Sequence, residues 1–209
     1  DDAEGAVTAT SPVRPERAAI EAVLPRFTGE IDQRPPIYSA IKVDGRRSYD
    51  LARADQAPVL AMRPVRIDSI SLAEMADADH ASFDVACGKG AYMRALARDI
   101  AEALGTVGHV SALRRTAVGG FRAEGAISLE HLSDVGHSPA RFEQCLLSVA
   151  TALDDIPALA LADLEADRLR MGRAVQVLRT ADRVVIEALD DGAILRAMDG
   201  KTLIALTRL

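Results

Sequence analysis

Cysteine is nearly absent. Cys87 and Cys145 are the only two in 209 residues, and neither sits in a C-x-x-C pair or a Cys/His cluster, so the sequence supports neither a disulfide framework nor a zinc site. Both are expected to be reduced, buried thiols. Long apolar runs are also missing: nothing approaches the roughly 18 consecutive apolar residues of a membrane span, and no charged-then-apolar leader opens the chain. A cytoplasmic protein with no membrane partner is expected. The four histidines, His80, His109, His131 and His137, show no H-E-x-x-H or paired ligand spacing, so no metal is expected. No G-x-S-x-G elbow offers a serine nucleophile. Gly88-Lys89-Gly90 runs into Ala91 and does not satisfy G-x-x-x-x-G-K-[ST], which argues against a nucleotide-triphosphate loop.

Apolar residues make up 49% of the chain, enough for a sizeable core, and the length fits one domain plus a small second one. The net charge of −6 is unevenly spread. Residues 33–63 carry six Arg/Lys against three Asp, residues 85–122 six against two acids, and residues 123–209 nine against fourteen. The acidity is therefore C-terminal, and two middle segments can form one basic face for a polyanion. An ordinary mixed surface is the other reading of the same counts.

Hydrophobic spacing sets the expected elements. Ile20, Val23, Leu24 and Phe27 fall at i, i+3, i+4, i+7 and predict an amphipathic helix that Pro25 ends or kinks. Pro35-Pro36 enforces an extended entry to a β-prone "IYSAIKV", which Asp44-Gly45 turns, with a short helix over 48–54 behind it. Residues 64–72 and 81–87 alternate with period two, as half-buried strands do. Met93, Leu96, Ile100 and Leu104 share one helical face, closed by Gly105. Further on, Gly119-Gly120 breaks a β-prone run and a helix is expected over 140–152. Another is expected near 163–171, closed by Gly172, with short strands around 174–179, 182–189, 193–198 and 202–207.

"CGKGAYMRALARDIAEALG" (87–105) poses a question. It sets Lys89 and Arg94 near the start of a helix, where the macrodipole disfavours cations. Arg94 also lacks an acidic neighbour three or four residues along its helix, whereas Arg98 has Glu102 four residues on. Cations interleave with aromatics here and elsewhere: Tyr38 with Lys42, Tyr49 with Arg46 and Arg47, and Tyr92 between Lys89 and Arg94. Such sets grip single-stranded or looped RNA, the ring stacking on a splayed base and the cations meeting phosphates. Tyrosine is equally at home in a core with its hydroxyl wet, so spacing alone leaves both readings open.

Three stretches carry a resemblance. "RPPIYSAIKVDGRRSYDLAR" resembles the P-P-x-Y-S-A-[LIV]-K-x-x-G-x-x-x-Y-x-x-A-R motif of the TruB family, the tRNA pseudouridine(55) synthases. "CGKGAYMRALARDIAEALG" followed by "GHVSALRRTAVGGF" resembles its K-G-T-Y-[IV]-R…D-L-G…H-V-x-x-L-R-R stretch, and "DDAEG" resembles the end of its T-D-T-x-D-A-x-G segment. The likeness is dense over 1–132 and thins to fold level over 155–209. It implies an α+β fold: the remainder of a pseudouridine-synthase mixed or antiparallel sheet with flanking helices over 1–153, plus a small, mostly-β PUA-like RNA-binding domain over 154–209.

The family isomerises the T-loop uridine at position 55 of tRNA, using an Asp that attacks the flipped nucleotide and neither cofactor nor metal. By resemblance Arg94 pairs with that Asp, holding it ionised, Tyr92 lies against the target uracil, and Leu113 lines its pocket. Tyr38, Lys42 and Lys89 are expected at the substrate, and Arg46, Arg47, Arg114 and Arg115 on the RNA backbone. Ala91 and Met93 depart mildly from the usual Thr and Ile or Val. The nucleophile's G-G-T-L-D-P-x-A-T-G motif is not in these 209 residues. The chain alone is therefore expected to be an inactive fragment of a longer enzyme, prone to self-association through exposed sheet edges. A non-catalytic tRNA-binding or tRNA-folding module of the same fold, and a structural interaction protein, are the alternatives.

Overall fold

A computed structural model describes residues 3, 5–54, 56, 58–136, 138–176 and 189–209. His137, most of the "DDAEG" stretch and the strands expected over 177–188 lie outside them. The described residues fall into two compact units, Asp1–Leu113 and Arg114–Leu209.

The first unit is built on an antiparallel sheet of β1 (Gly29–Gln33), β4 (Arg63–Met75) and β5 (Ala81–Cys87), in the order β1-β4-β5. Alternation puts Val65 and Ile67 of β4 inward while Arg66 and Asp68 face water. A register shift between Ile67 and Ser69 then changes the parity of the strand. The extra residue of such a bulge returns Ile70 and Leu72 to the face that Ile67 occupies. Helix α3 (Met93–Ala103) lays Leu96 and Ile100 on this face, and Val23, Leu24 and Phe27 close it from the N-terminal side. Ile67, with 0% exposure, is the centre of the core; removing such a side chain from water stabilises by about 1.5–3 kcal/mol.

Helix α1 (Arg17–Val23) runs into a 3-10 turn, Leu24–Phe27, at the proline expected to end or kink it. The segment between β1 and β4 is a folded excursion. It holds a two-residue hairpin, β2 (Lys42–Val43) with β3 (Arg46–Arg47), and helix α2 (Ser48–Arg53). Asp44 (φ 49°) and Gly45 (φ 82°) both take positive φ, as a type I′ turn requires. The extended run expected from Ile37 is shorter than its composition suggests. Tyr49 N–H donates to the Ser39 carbonyl, Ser48 N–H to Ile41 and Ser48 Oγ to Ile37. These local bonds bend the backbone away from a ladder.

The second unit opens with a hairpin, β6 (Ala117–Val118) and β7 (Phe121–Arg122), followed by α4 (Leu129–Val135), capped by Ser128 Oγ accepting from His131 N–H at 3.0 Å. The single helix expected over 140–152 is two, α5 (Pro139–Glu143) and α6 (Val149–Ala152). Ser148 takes the extended conformation of a helix N-cap between them, and the β-branched Val149 and Thr151 weaken continuation. The rest is β8 (Ala158–Ala160), α7 (Asp163–Arg170), β9 (Ile194–Asp199) and β10 (Thr202–Arg208), with β8 parallel and β10 antiparallel to the central β9 around Leu159 and Leu195.

Both cysteines are free, but Cys87 is exposed and Cys145 half-buried, against the expectation of burial. Cys87 is the last residue of β5, paired with Ile67, and is exposed where the strand leaves the sheet. No helix among the described residues is long and apolar enough to cross a membrane.

Candidate functional site

Strand β5 leaves the sheet through Gly88-Lys89-Gly90. Gly88 N–H is held by the Arg66 carbonyl at 2.9 Å, and Gly90 takes φ 93°. The chain then reaches Tyr92 at the N-cap of α3. Tyr92 N–H donates to Gln33 Oε1 at 2.8 Å, and its carbonyl accepts the helical bond from Leu96. Gln33 is the last residue of β1, 59 positions earlier, and is 1% exposed. Its amide thus pins the start of α3 to the end of β1. Gln33 is not among the residues expected at the site from sequence; it stands immediately before the stretch that carries the first motif, two residues ahead of Pro35-Pro36.

Helix α3 has no acid in its first turn; backbone carbonyls of the excursion meet its cations. Half-buried Arg94 donates through Nη2 to the Tyr38 carbonyl at 2.8 Å. One turn later Arg98 Nη2 donates to the Arg34 carbonyl at 2.8 Å, while its Nε pairs with Asp99. Two guanidinium groups four residues apart therefore hold both flanks of Pro35-Pro36.

The excursion presents charge. Lys42 and Arg47 are direct neighbours across the β2–β3 hairpin and both are exposed, a like-charge juxtaposition that costs stability and suits a polyanion. Arg46 is exposed beside them and reaches Gln56 at 3.2 Å. Tyr49 lies within 5.7 Å of the Arg47 guanidinium carbon and 5.5 Å of that of Arg53, and Arg47 also donates to its hydroxyl at 3.0 Å. Its ring holds these cations in place. Tyr38, by contrast, is 57% exposed, with its backbone fixed by Arg94 and its side chain available.

Lys89 and Tyr92 meet in a pocket of about 240 Å³, whose lining also includes Gln33, Arg63, Pro35 and Ile41. Leu113 is 65% exposed at the end of the first unit, outside its hydrophobic core. Arg114 and Arg115 are exposed at the start of the second unit. The first unit thus brings Tyr92, Arg94, Tyr38 and Lys89 onto the β5–α3 junction and the excursion it anchors. Chemically it offers cationic donors, one open aromatic face and no carboxylate in the pocket lining.

Known proteins share this architecture. The protein in the "Crystal Structure of a Cbf5-Nop10-Gar1 Complex" superposes with a TM-score of 0.67 at 24% identity, over 93% of this chain and 55% of its own. A chain from "Structure of H/ACA RNP bound to a substrate RNA containing 2'-deoxyuridine" matches with a TM-score of 0.66 at 21% identity, over 95% of this chain and 56% of its own. These likenesses place the chain in their α+β fold class. Family models fit residues 1–93, described as TruB family pseudouridylate synthase (N terminal domain), and 94–154, described as tRNA pseudouridylate synthase B C-terminal domain. Proteins named tRNA pseudouridine synthase B from Rhodospirillum rubrum and Gluconacetobacter diazotrophicus are 52% and 54% identical to it, and the match covers all of this chain and 68% of each of theirs. The chain belongs to the TruB family.

Proposed function

We propose that the protein is a tRNA pseudouridine synthase that isomerises the T-loop uridine at position 55, and that these 209 residues form its tRNA-gripping part. The carrying observation is the β5–α3 junction, where Tyr92 and Arg94 stand two residues apart, each tied by a hydrogen bond to the β1 end or the excursion that follows it.

The reaction is an isomerisation. The N1–C1′ bond of the nucleotide breaks, a C5–C1′ bond forms, C5 loses its proton and N1 gains one, so the atoms balance without a co-reactant. The target uridine must leave its stack, at a cost of a few kcal/mol. Tyr92 receives the flipped uracil, Leu113 lines the base pocket, and Tyr38 offers a second aromatic face. The attacking carboxylate is that of the family's G-G-T-L-D-P motif, outside these residues. Arg94 faces it with an opposite charge, which favours its ionised form. Lys42, Lys89, Arg46, Arg47, Arg114 and Arg115 meet phosphates, adding salt-dependent affinity without choosing sequence. Residues 154–209, with the β8-β9-β10 sheet and α7, act as a PUA-like RNA-binding unit. The cytoplasm, where tRNA matures in bacteria, is the setting.

The test is pseudouridine detection on an unmodified T-stem-loop RNA, using protein expressed from the complete gene. Product at the single T-loop uridine, lost in Arg94→Ala, is the expected outcome. Tight RNA binding by the complete protein with no product at any uridine would favour a non-catalytic tRNA-binding module instead.

A further inference from the structure

The pocket beside Tyr92 has an unbalanced set of polar groups. Gln33, Arg63, Lys89 and Tyr92 supply them, and the remaining lining is proline, aliphatic or glycine. Gln33 is 1% exposed, its Oε1 is taken by the Tyr92 N–H, and its buried Nε2 has no hydrogen-bond partner among the described residues. A buried donor left without an acceptor is destabilising, and a ligand acceptor relieves it. Arg63 is the direct neighbour of Gln33 across the β1–β4 ladder, and Lys89 stands in the glycine turn opposite. Both side chains are exposed, and neither side chain makes an ion pair or hydrogen bond among the described residues.

Guanidinium and ammonium groups only donate, and Gln33 has only its NH2 left to offer. The complement of two cations and a buried amide donor, with no acid in the lining, is an anion built of acceptors. Burial of the Gln33 amide strengthens its contact with such an acceptor. We propose that Arg63, Gln33 and Lys89 form a phosphate subsite that takes one backbone phosphate of the RNA adjoining the nucleotide held at Tyr92. This assignment rests on the RNA-modifying reading above. It gives Arg63 a role that none of the motif resemblances supplies, and makes Gln33 a bridge between that phosphate and the Tyr92 backbone.

The test is the salt dependence of T-stem-loop binding to the complete protein, followed by fluorescence anisotropy. Arg63→Ala and Lys89→Ala are each expected to weaken binding and to flatten the slope of log K against log salt by about 0.7, one single-strand phosphate contact. Arg63→Lys should restore the slope, which a merely structural role would not predict. Gln33→Glu keeps the oxygen acceptor for Tyr92 N–H while replacing the donor with negative charge, and should weaken binding by about tenfold. Parent-like slopes in both alanine variants, with parent binding and product intact, would overturn the subsite and leave the enzyme reading standing. A parent protein that neither binds nor modifies the RNA would overturn both. If inorganic phosphate, followed by 31P line broadening, occupies the site through Arg63 while the RNA slopes stay at the parent value, the ligand is a free anion and the RNA assignment fails.

Discussion

Arg94 Nη2 lies 2.8 Å from the carbonyl oxygen of Tyr38, joining the first turn of α3 to a backbone position 56 residues earlier. A cation at a helix N-terminus works against the macrodipole by typically 0.3–1 kcal/mol. A charge-assisted hydrogen bond to a carbonyl contributes about 1.5–3 kcal/mol, so the contact offsets the poor placement and fixes the excursion that carries Tyr38, Lys42, Arg46 and Arg47.

Arg94→Lys keeps the charge but loses the planar fork. The expected result is a fall in kcat/KM on the order of 10²-fold, the cost of misplacing the attacking carboxylate once the fork that orients it is lost. Hydrogen exchange should also quicken at Tyr49 N–H, which bonds the Ser39 carbonyl in the anchored segment. Parent kinetics in this variant would remove Arg94 from the mechanism.

Ile67→Ala should cost about 2–5 kcal/mol of stability, because Ile67 is fully buried against Leu96 and Ile100 at the centre of the first unit. Urea unfolding reads this directly. A loss near 1 kcal/mol would mean that the core collapses around the gap.

Gly45→Val places a β-branched residue at φ 82°, a strain of order 1–3 kcal/mol. The hairpin that sets Lys42 opposite Arg47 should open, and RNA affinity should fall with little change in the global melting temperature. Unchanged affinity would show that the hairpin does not touch RNA.

Asp77 Oδ1 pairs with His80 Nδ1 at 2.9 Å and accepts from Asp79 N–H at 2.7 Å, in the turn between β4 and β5. The side-chain bond to His80, and then the backbone bond, hold its carboxyl below the ordinary value of 3.8. With the folded pKa depressed, the stabilisation is complete above the unfolded value and disappears as pH falls through the folded one. NMR titration of the carboxyl carbon should give a midpoint below 3.8, and the stability gap between parent and Asp77→Asn should close at the acid end.

Periodicity made the core of the first unit legible. Ile20, Val23 and Leu24 are buried on one face, β4 and β5 alternate, and Leu96 and Ile100 of α3 pack in the core with Val23 and Leu24, as their spacing predicts. Strand β1 escaped because "GEIDQ" has a single aliphatic residue, Ile31, and owes its pairing to the long neighbouring strand rather than to its own composition. Helix α4 and the three-residue β8 were missed for similar reasons, being short and dependent on partners elsewhere in their unit. Tyr92, Arg94 and Lys89 were legible as a motif. Gln33 was not, since an amide acquires meaning only from the two groups it meets, and its backbone partner lies 59 residues away.

The three bonds that mount the excursion, Gln33 to Tyr92, Tyr38 to Arg94 and Arg34 to Arg98, span 59, 56 and 64 residues of chain. Contacts so distant in sequence form late, after the loop-closure entropy has been met by the sheet and the helix. The spacing of the excursion's cations is therefore a property of the docked pieces taken together, and a change that undocks α3 would disperse those charges without removing any of them.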